Sequence, residues 1–421
     1  MTFERYRQIF QNASFRRFWF GFSFSVLGDA MTRVALIWFV YEKTSSAAAL
    51  GWLMLCYTGP IIVGGLLAGS LLDRFDRRAV MIADNVVRGL AMALVPLLYA
   101  LGLLAVWHIY AVAAVYGLLM MISLAGGPAL VPSLVPREQL ATANALEMLS
   151  FTLGGVIGPV VAGALIVWVG APNVVIVDAV SYFAFALALA GTRLLDESHL
   201  ARQTDGPAYH TGHAVQLLLK NPVLLTTTLM FMAFNIGGGA LAVWLPILSD
   251  RVLGGGPELY GTLLGALALG EVISAFLAGG LVLPLALGTL ICLAQALSGA
   301  SLGIVLAGRN AWVVGIGLAL FGAFSSPLTI WAQTLRMQII PERLRGRTFA
   351  LLRMLMQSGN PIGGAAAGIL LPTLGLPAMI LLSAVVVGLP GLLGAQVRAM
   401  RQAGRPGGAP DVVHSSAEII P

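Results

Sequence analysis

Apolar residues in this chain come in long runs, not in the one-sided stripes of a soluble amphipathic helix. A helix needs about 20 predominantly apolar residues to cross a bilayer. On that rule the pattern predicts spans near 17–41, 48–72, 79–102, 105–128, 144–169 and 172–194. The polar stretch "DESHLARQTDGPAYHTGHA" follows, and then spans near 222–248, 258–281, 283–306, 311–335, 348–371 and 376–397. The expected architecture is an all-α integral membrane protein of twelve transmembrane helices in two groups of six. Its parts are an N-terminal six-helix bundle over 1–195, a linker over 196–221 and a C-terminal six-helix bundle over 222–398. The tail over 399–421, rich in Gly, Pro and Ser, reads as disordered.

Composition removes the soluble alternative. The chain is 58% hydrophobic and 10% charged, with a mean hydropathy of +0.89. A soluble domain carries about 25% charged residues and covers its surface with them, so lipid must face most of this one. No signal-peptide pattern precedes the first apolar run, which is read as a retained span. Cys56 and Cys292 both lie inside apolar runs and read as small buried residues.

Charge placement orients the spans. Arg5, Arg7, Arg16 and Arg17 precede the first span, Arg74, Arg77 and Arg78 follow the second, and Arg137 follows the fourth. Arg193, Arg202 and Lys220 lie between the sixth and seventh; Arg336, Arg343, Arg345 and Arg347 follow the tenth; Arg398, Arg401 and Arg405 follow the twelfth. The opposite loops hold only Lys43, Arg251 and Arg309. Excess Lys and Arg marks the cytoplasmic side, which predicts that both termini are cytoplasmic.

An internal duplication accounts for the two groups of six. "VPREQLATANALEMLSFTLGGVIGPVVAGAL" from Val135 aligns without a gap with "IPERLRGRTFALLRMLMQSGNPIGGAAAGIL" from Ile340, an offset of 205 residues. Pro136/Pro341, Gly154/Gly359, Gly158/Gly363 and Gly163/Gly368 coincide. "LAGSLL" at 67 and "LAGGLV" at 277 pair at a nearly equal offset. Duplicated halves around a central site are a transporter architecture.

The densest charge cluster, "GSLLDRFDRR" at 69–78, resembles the loop motif G-x-x-x-D-R-x-x-R-R of the major facilitator superfamily through Gly69, Asp73, Arg74, Arg77 and Arg78. The reading is a conformational latch: Gly69 lets two helices approach closely and Asp73 pairs at a helix end. An anchor that only sets topology is the alternative. Asp76 stands where the family usually has glycine, and the second copy has Leu283 and Pro284 in place of Asp73 and Arg74. "GGVIGPVVAG" resembles the superfamily's antiporter motif through Gly154, Gly158, Pro159 and Gly163, implying an export-associated hinge; ordinary small-residue packing is the alternative. "VLGDAMTRVALIWFVYEKTSSAAALGW", "DNVVRG" and "PERLRGRTFAL" are similar to the branch containing macrolide-efflux, Tap-like multidrug and enterobactin exporters. The resemblance covers the chain and implies the major facilitator fold, with two pseudo-symmetric bundles alternating access in a bacterial inner membrane.

Charges within spans cost about 2.5–3.5 kcal/mol each even on insertion scales, so each is a candidate for function. Asp29 and Arg33 share a face of the first span at i,i+4 and are expected to pair, either as a proton-coupling unit or as a self-neutralising structural pair. Asp84 and Arg88 repeat the spacing in the third span; with Glu147 and Arg353 they are assigned to an inner gate network. Asp178, and Glu271 with no basic neighbour in its own helix, complete the proton-coupling candidates. The fourth span lacks the arginine that many antiporters of the superfamily carry, so coupling must rest on Arg33 or the carboxylates.

In this superfamily the first, fourth, seventh and tenth spans line the cavity. Trp38, Tyr116, Met120, Phe231, Phe234, Asn235, Phe324 and Trp331 are therefore substrate-cavity candidates, with core or lipid-facing packing as the alternative for each. No glycine-rich phosphate loop with lysine is present, and the spans carry no nucleophile–base or metal-ligand cluster. Neither an enzyme nor a cofactor or metal site is expected. The expected function is export of amphipathic small molecules, drugs or siderophore-like compounds, by proton antiport. Its partners are a small-molecule substrate, protons and the lipid bilayer, without nucleic acid, and the chain is expected to act as a monomer. A lysolipid or nutrient carrier of the same fold, or a transport-inactive membrane sensor, are the alternatives.

Overall fold

A computed structural model describes residues 2–192, 211–280, 284–308, 310–341 and 344–405, and every regular element among them is helical. In the first half these are α1 (Thr2–Gln11), α2 (Ala13–Thr44), α3 (Ala47–Thr58), α4 (Pro60–Arg74), α5 (Arg77–Ala100), α6 (Val106–Leu130), α7 (Leu140–Val169) and α8 (Ala171–Ala190). The second half has α9 (Thr211–Lys220), α10 (Pro222–Ile247), α11 (Gly256–Gly280), α12 (Leu287–Ala307), α13 (Ala311–Ile339), α14 (Arg345–Gln357), α15 (Gly359–Leu374), α16 (Leu376–Gly394) and α17 (Arg398–Gln402).

Short polar side chains start several of these helices, satisfying N–H groups that have no intrahelical acceptor. Asn12 accepts from the amides of Ser14 and Phe15 at 3.0 and 3.2 Å, and Asp76 accepts from Ala79 at 2.7 Å. Asn221 accepts from Val223 and Leu224, both at 3.0 Å, and Asn310 from Val313 at 3.0 Å. Pro60 opens α4 directly after Gly59, where its missing N–H costs no hydrogen bond.

Among the described residues eleven helical stretches are long and apolar enough to cross a membrane. The stretch expected at 348–371 is not one of them, because it breaks at Ser358 into α14 and α15. The apolar surface is the expected one for lipid: Phe276 is 88% exposed, and Trp168 and Trp312 are each 85% exposed. Trp168 ends near the C-terminus of α7 and Trp312 near the start of α13, the helix-end positions favoured by interfacial aromatics.

The duplication is visible in the helix boundaries. Leu140 and Val169, the ends of α7, shift by 205 onto Arg345 and Leu374, the start of α14 and the end of α15. Ala171 shifts onto Leu376, and Val106 onto Ala311, the starts of α16 and α13. The intervening glycines match in conformation, Gly170 with φ 79° and Gly375 with φ 78°, a region that only glycine adopts without strain.

The chain forms two compact units. The first comprises Met1–Thr204, Ala242–Ala268 and Gly364–Thr373; the second comprises Asp205–Leu241, Leu269–Gly363 and Leu374–Pro421. In the first, α2 packs on α7 and α8, α5 on α6 and α8, and α4 on α6. Its core is aromatic: Phe18 stacks on Phe22 with centroids 5.7 Å apart, and Phe185 meets both edge-on. In the second, α12 packs on α13 and α16, and α9 on α14. Residues 211–220 of the expected linker are thus helical. The expected disorder from residue 399 is corrected as far as 405. Met400 is fully buried in the second unit's core, and Gly288 and Leu287 donate to Ala403 and Gly404 at 3.1 and 3.3 Å. Residues 406–421 lie outside the described ones.

Within the first unit, the segment 242–268 packs on α7 through groups that leave no space for a side chain. A Cβ on Gly261 would lie 2.2 Å from the Pro159 carbonyl oxygen and 3.0 Å from the Gly163 Cα. Gly51 approaches Gly364 and Gly368 in the same way. The Tyr41 hydroxyl donates to Asp250 at 2.6 Å and Arg251 donates to the Ser45 carbonyl at 3.1 Å, fastening the end of α2. Gly261→Leu is expected to cost about 1–3 kcal/mol of stability by overpacking. Gly155→Leu, where a Cβ meets open space, is expected to cost nothing. Thermal unfolding of the purified variants checks both, and equal melting would refute the close packing.

Candidate functional site

The site is built around Arg88. On α5, the i,i+4 spacing places Arg88 beside Asp84, and its Nε donates to Asp84 Oδ1 at 3.0 Å while Nη2 donates to Oδ2. Ser123 of α6 joins the pair, accepting from Arg88 Nη2 and donating to Asp84 Oδ2 at 2.8 Å. Tyr182 of α8 accepts from Arg88 Nη1 at 2.9 Å and donates to Asp29 Oδ1 of α2. The same Asp29 oxygen lies 4.0 Å from Arg88 Nη1. Four helices, α2, α5, α6 and α8, thus converge on one guanidinium.

Aromatic rings close the site. The guanidinium carbon lies 4.4 Å from the Tyr182 ring centroid and 5.9 Å from that of Tyr116, which stacks on Tyr57 at 4.8 Å. Arg88 and Asp84 are sealed from solvent, whereas the Asp29 side chain is 25% exposed. Asp29, Arg88, Ser123 and Tyr116 line a cavity of about 50 Å³ together with Met120, Ser25 and a rim of apolar residues. Room for one or two waters is available there, since a water takes up about 30 Å³. Asp178 is fully buried next door: a Cβ on Gly28 would lie 2.6 Å from its Oδ1, and its Oδ2 has no hydrogen-bond partner among the described residues. With both Asp29 and Asp84 ionised, the cluster holds one cation against two anions. Such a site attracts a proton or a cationic group, because an unbalanced charge is costly in a membrane interior.

These features, many apolar spans in duplicated halves with an ion cluster inside one of them, suit a membrane transporter. The family model of the Major Facilitator Superfamily matches residues 18–364. The chain belongs to the Major Facilitator Superfamily. It is a multi-pass membrane transporter of that superfamily, with a small-molecule substrate, and not an enzyme. It is 29% identical over 361 residues to the enterobactin exporter EntS of Escherichia coli O1:K1 / APEC, covering 82% of each chain. To the uncharacterized MFS-type transporter y4rN of Sinorhizobium fredii it is 25% identical over 349 residues, 82% of this chain and 86% of that one. Two solved structures share the fold. A bacterial homologue of the iron transporter ferroportin, in an inward-facing state, has a TM-score of 0.69 at 17% identity and covers 91% of this chain and 98% of its own. A bacterial homologue of the human lysosomal transporter Spinster has a TM-score of 0.68 at 13% identity over 90% of this chain and 95% of its own.

Within this superfamily member, the expected pairing of Asp29 with Arg33 is corrected: Arg33 is exposed, and the ion partner of Asp29 is Arg88. Arg88 and Asp84 therefore lie in one cluster with Asp29. Glu147, expected beside them, is buried near Gly127 with no hydrogen-bond partner on Oε1 among the described residues, and Arg353 is exposed on α14. Glu271 lies in the second unit, exposed, and accepts from the Ser325 hydroxyl at 3.2 Å.

Of the latch residues, the Asp73 side chain lies outside the described ones, and Arg74 and Arg77 are exposed. Arg78 donates to the Ala190 carbonyl at the end of α8. The close helix approach expected at Gly69 is corrected, since a Cβ there meets nothing within 4 Å. The antiporter-motif glycines do mediate close packing. Gly154 faces Val26, Gly158 faces Ala30 of α2 and Gly163 faces Gly261, while Pro159 sits inside an unbroken α7.

Tyr116 and Met120 line the small cavity beside Asp29. Trp38 does not: it is buried against Tyr41 and Tyr260 at centroid distances of 5.4 and 6.1 Å. In the second unit, Phe231 lies under the Arg336 guanidinium at 4.6 Å, Phe234 stacks on Phe321 at 5.2 Å, and Trp331 packs on the same core, while Phe324 is half-buried. Asn235 accepts from Asn360, which also donates to Gln357, both at 3.1 Å, across the break between α14 and α15. Sequence reasoning missed Ser123, Tyr182 and Arg336. Arg336 was counted as a loop residue but lies buried in α13, donating to the Thr227 carbonyl at 3.2 Å. A hydroxyl in an apolar run was the only available signal for the first two.

Proposed function

We propose that this transporter exports amphipathic small molecules across the bacterial inner membrane in exchange for protons, acting as a monomer of two six-helix bundles, 1–195 and 222–398. The full count in this reading is twelve spans, with α14 and α15 together supplying the eleventh, and both termini are cytoplasmic. The observation that carries the coupling is the charge balance at Arg88. Asp84 already satisfies the guanidinium with two hydrogen bonds, so Asp29 is a second, partly exposed carboxylate on an occupied cation.

A proton on Asp29 makes the cluster neutral; its loss leaves the cluster with a net negative charge that favours opening to water. Tyr182 bridges Asp29 to Arg88 and couples the charge on α2 to the position of α5 and α8. Alternating access is supported by the packing of 242–268 and 364–373 against the first-half helices, which closes one face at glycines whose contacts a rocking motion can break. Tyr116 and Met120 present apolar, adaptable surface in the cavity beside this carboxylate, as an amphipathic substrate requires. Export as the direction, and siderophore-like molecules or drugs as the cargo, rest on the likeness to the enterobactin exporter.

The test is proton movement in proteoliposomes of the purified protein, challenged in turn with cationic dyes, macrolides, siderophores and lysolipids. Proton flux triggered by one class establishes coupling and the substrate chemistry together. Substrate flux without proton movement would replace antiport by facilitated transport and remove Asp29 as the carrier.

A further inference from the structure

A second cavity of the first unit lies away from the Arg88 cluster. It measures about 400 Å³, within the size range of small-molecule pockets, and runs between the N-terminal part of α2 and the C-terminal part of α8. Its walls are Phe20 and Phe24, one turn apart on α2, and Ala184 and Ala188, one turn apart on α8. The large rings stand beside small methyl groups, which leaves a trough along the helix axes; Phe20 is 59% exposed along it. Arg16 and Arg17 line its head.

Both guanidiniums are held in place by backbone carbonyls. Arg17 Nη1 donates to the Gly191 carbonyl at 2.7 Å and Arg16 Nη1 to the Phe10 carbonyl at 3.0 Å. Each contact uses one of five N–H donors, so the remaining donors are oriented and free to meet an anion. The carbonyl contacts account for capping the end of α8 by Arg17 and the end of α1 by Arg16. They do not account for two exposed arginines heading an apolar trough on a surface that faces lipid. A soluble anion matches the arginines and leaves the trough bare; a neutral lipid fills the trough and leaves the charges unmet.

We propose that this trough binds an anionic phospholipid of the surrounding leaflet, its phosphate on Arg16 and Arg17 and one acyl chain between Phe20, Phe24, Ala184 and Ala188. The complementarity is of charge at the head and of shape along the chain, the arrangement of basic pockets between transmembrane helices that hold acidic headgroups. The bound lipid ties α2, which carries Asp29, to α8, which carries Tyr182.

The test is native mass spectrometry of the full-length protein in a neutral detergent, titrated with dioleoylphosphatidylglycerol or dioleoylphosphatidylcholine. The parent is expected to retain phosphatidylglycerol in preference to phosphatidylcholine. Arg16→Gln combined with Arg17→Gln is expected to weaken that binding about thirtyfold, from two lost arginine contacts. Ala184→Phe fills the trough without touching either charge and is expected to weaken it as well, which keeps the test valid if the arginine variant folds poorly. Arg398→Gln with Arg401→Gln, in the second unit, removes the same charge and is expected to change nothing. Full binding by Ala184→Phe, equal retention of the two lipids, or displacement of the lipid by glycerol phosphate alone would each overturn the assignment.

Discussion

Asp29→Asn is expected to abolish substrate-driven proton movement in proteoliposomes while leaving the protein folded and as stable as the parent. The amide oxygen still accepts from Tyr182, so the hydrogen-bonded frame survives. What disappears is the second negative charge on Arg88, and the cluster becomes a neutral Arg88–Asp84 pair whether or not a proton arrives. Removing an uncompensated charge from a membrane interior does not destabilise the fold. Loss of coupling with an unchanged melting temperature supports Asp29 as the carrier. Coupling that persists in the variant would move the role to Asp178 or Glu271, whose Asn and Gln variants are the next comparison.

Arg88→Met is expected to have the opposite signature, a loss of stability of about 3–5 kcal/mol, the cost of leaving a buried charge without its partner. Arg88 is 1% exposed and Asp84 is sealed, so no water replaces the lost donors. Ser123 and Tyr182 lose a partner at the same time. Adding Asp84→Asn to Arg88→Met is expected to restore most of the loss, because the orphaned carboxylate is gone. The interaction term of that cycle, read from thermal or denaturant unfolding in detergent, should reach about 3 kcal/mol in magnitude, the upper end of the range for residues in one network. Additive losses would show that Arg88 and Asp84 do not act as a pair.

The two outcomes rest on readings of unequal legibility. Asp84 and Arg88 were legible as a pair, because residues four apart on one helix are neighbours whatever surrounds the helix. The same rule misassigned Asp29 to Arg33. It compares only residues of one helix, and Asp29 meets its cation across an interface between α2, α5 and α8. Gly69 and Gly163 show the same limit for packing: both stood in motifs with small-residue spacing, yet one faces open space and the other a helix backbone.

Run length and composition determined the membrane class and the approximate span positions, because lipid imposes apolarity residue by residue and needs no partner to do so. The glycine-terminated boundaries at Gly170 and Gly375 repeat at the offset already written in the alignment. Tertiary structure alone decided that Asp29, Asp84, Arg88, Ser123 and Tyr182 form one cluster, that Trp38 is core and Tyr116 cavity, and that α14 and α15 break at Ser358. In helices apolar on nearly every face, periodicity does not say which side meets protein, so the partners of each polar group emerge only when the helices pack.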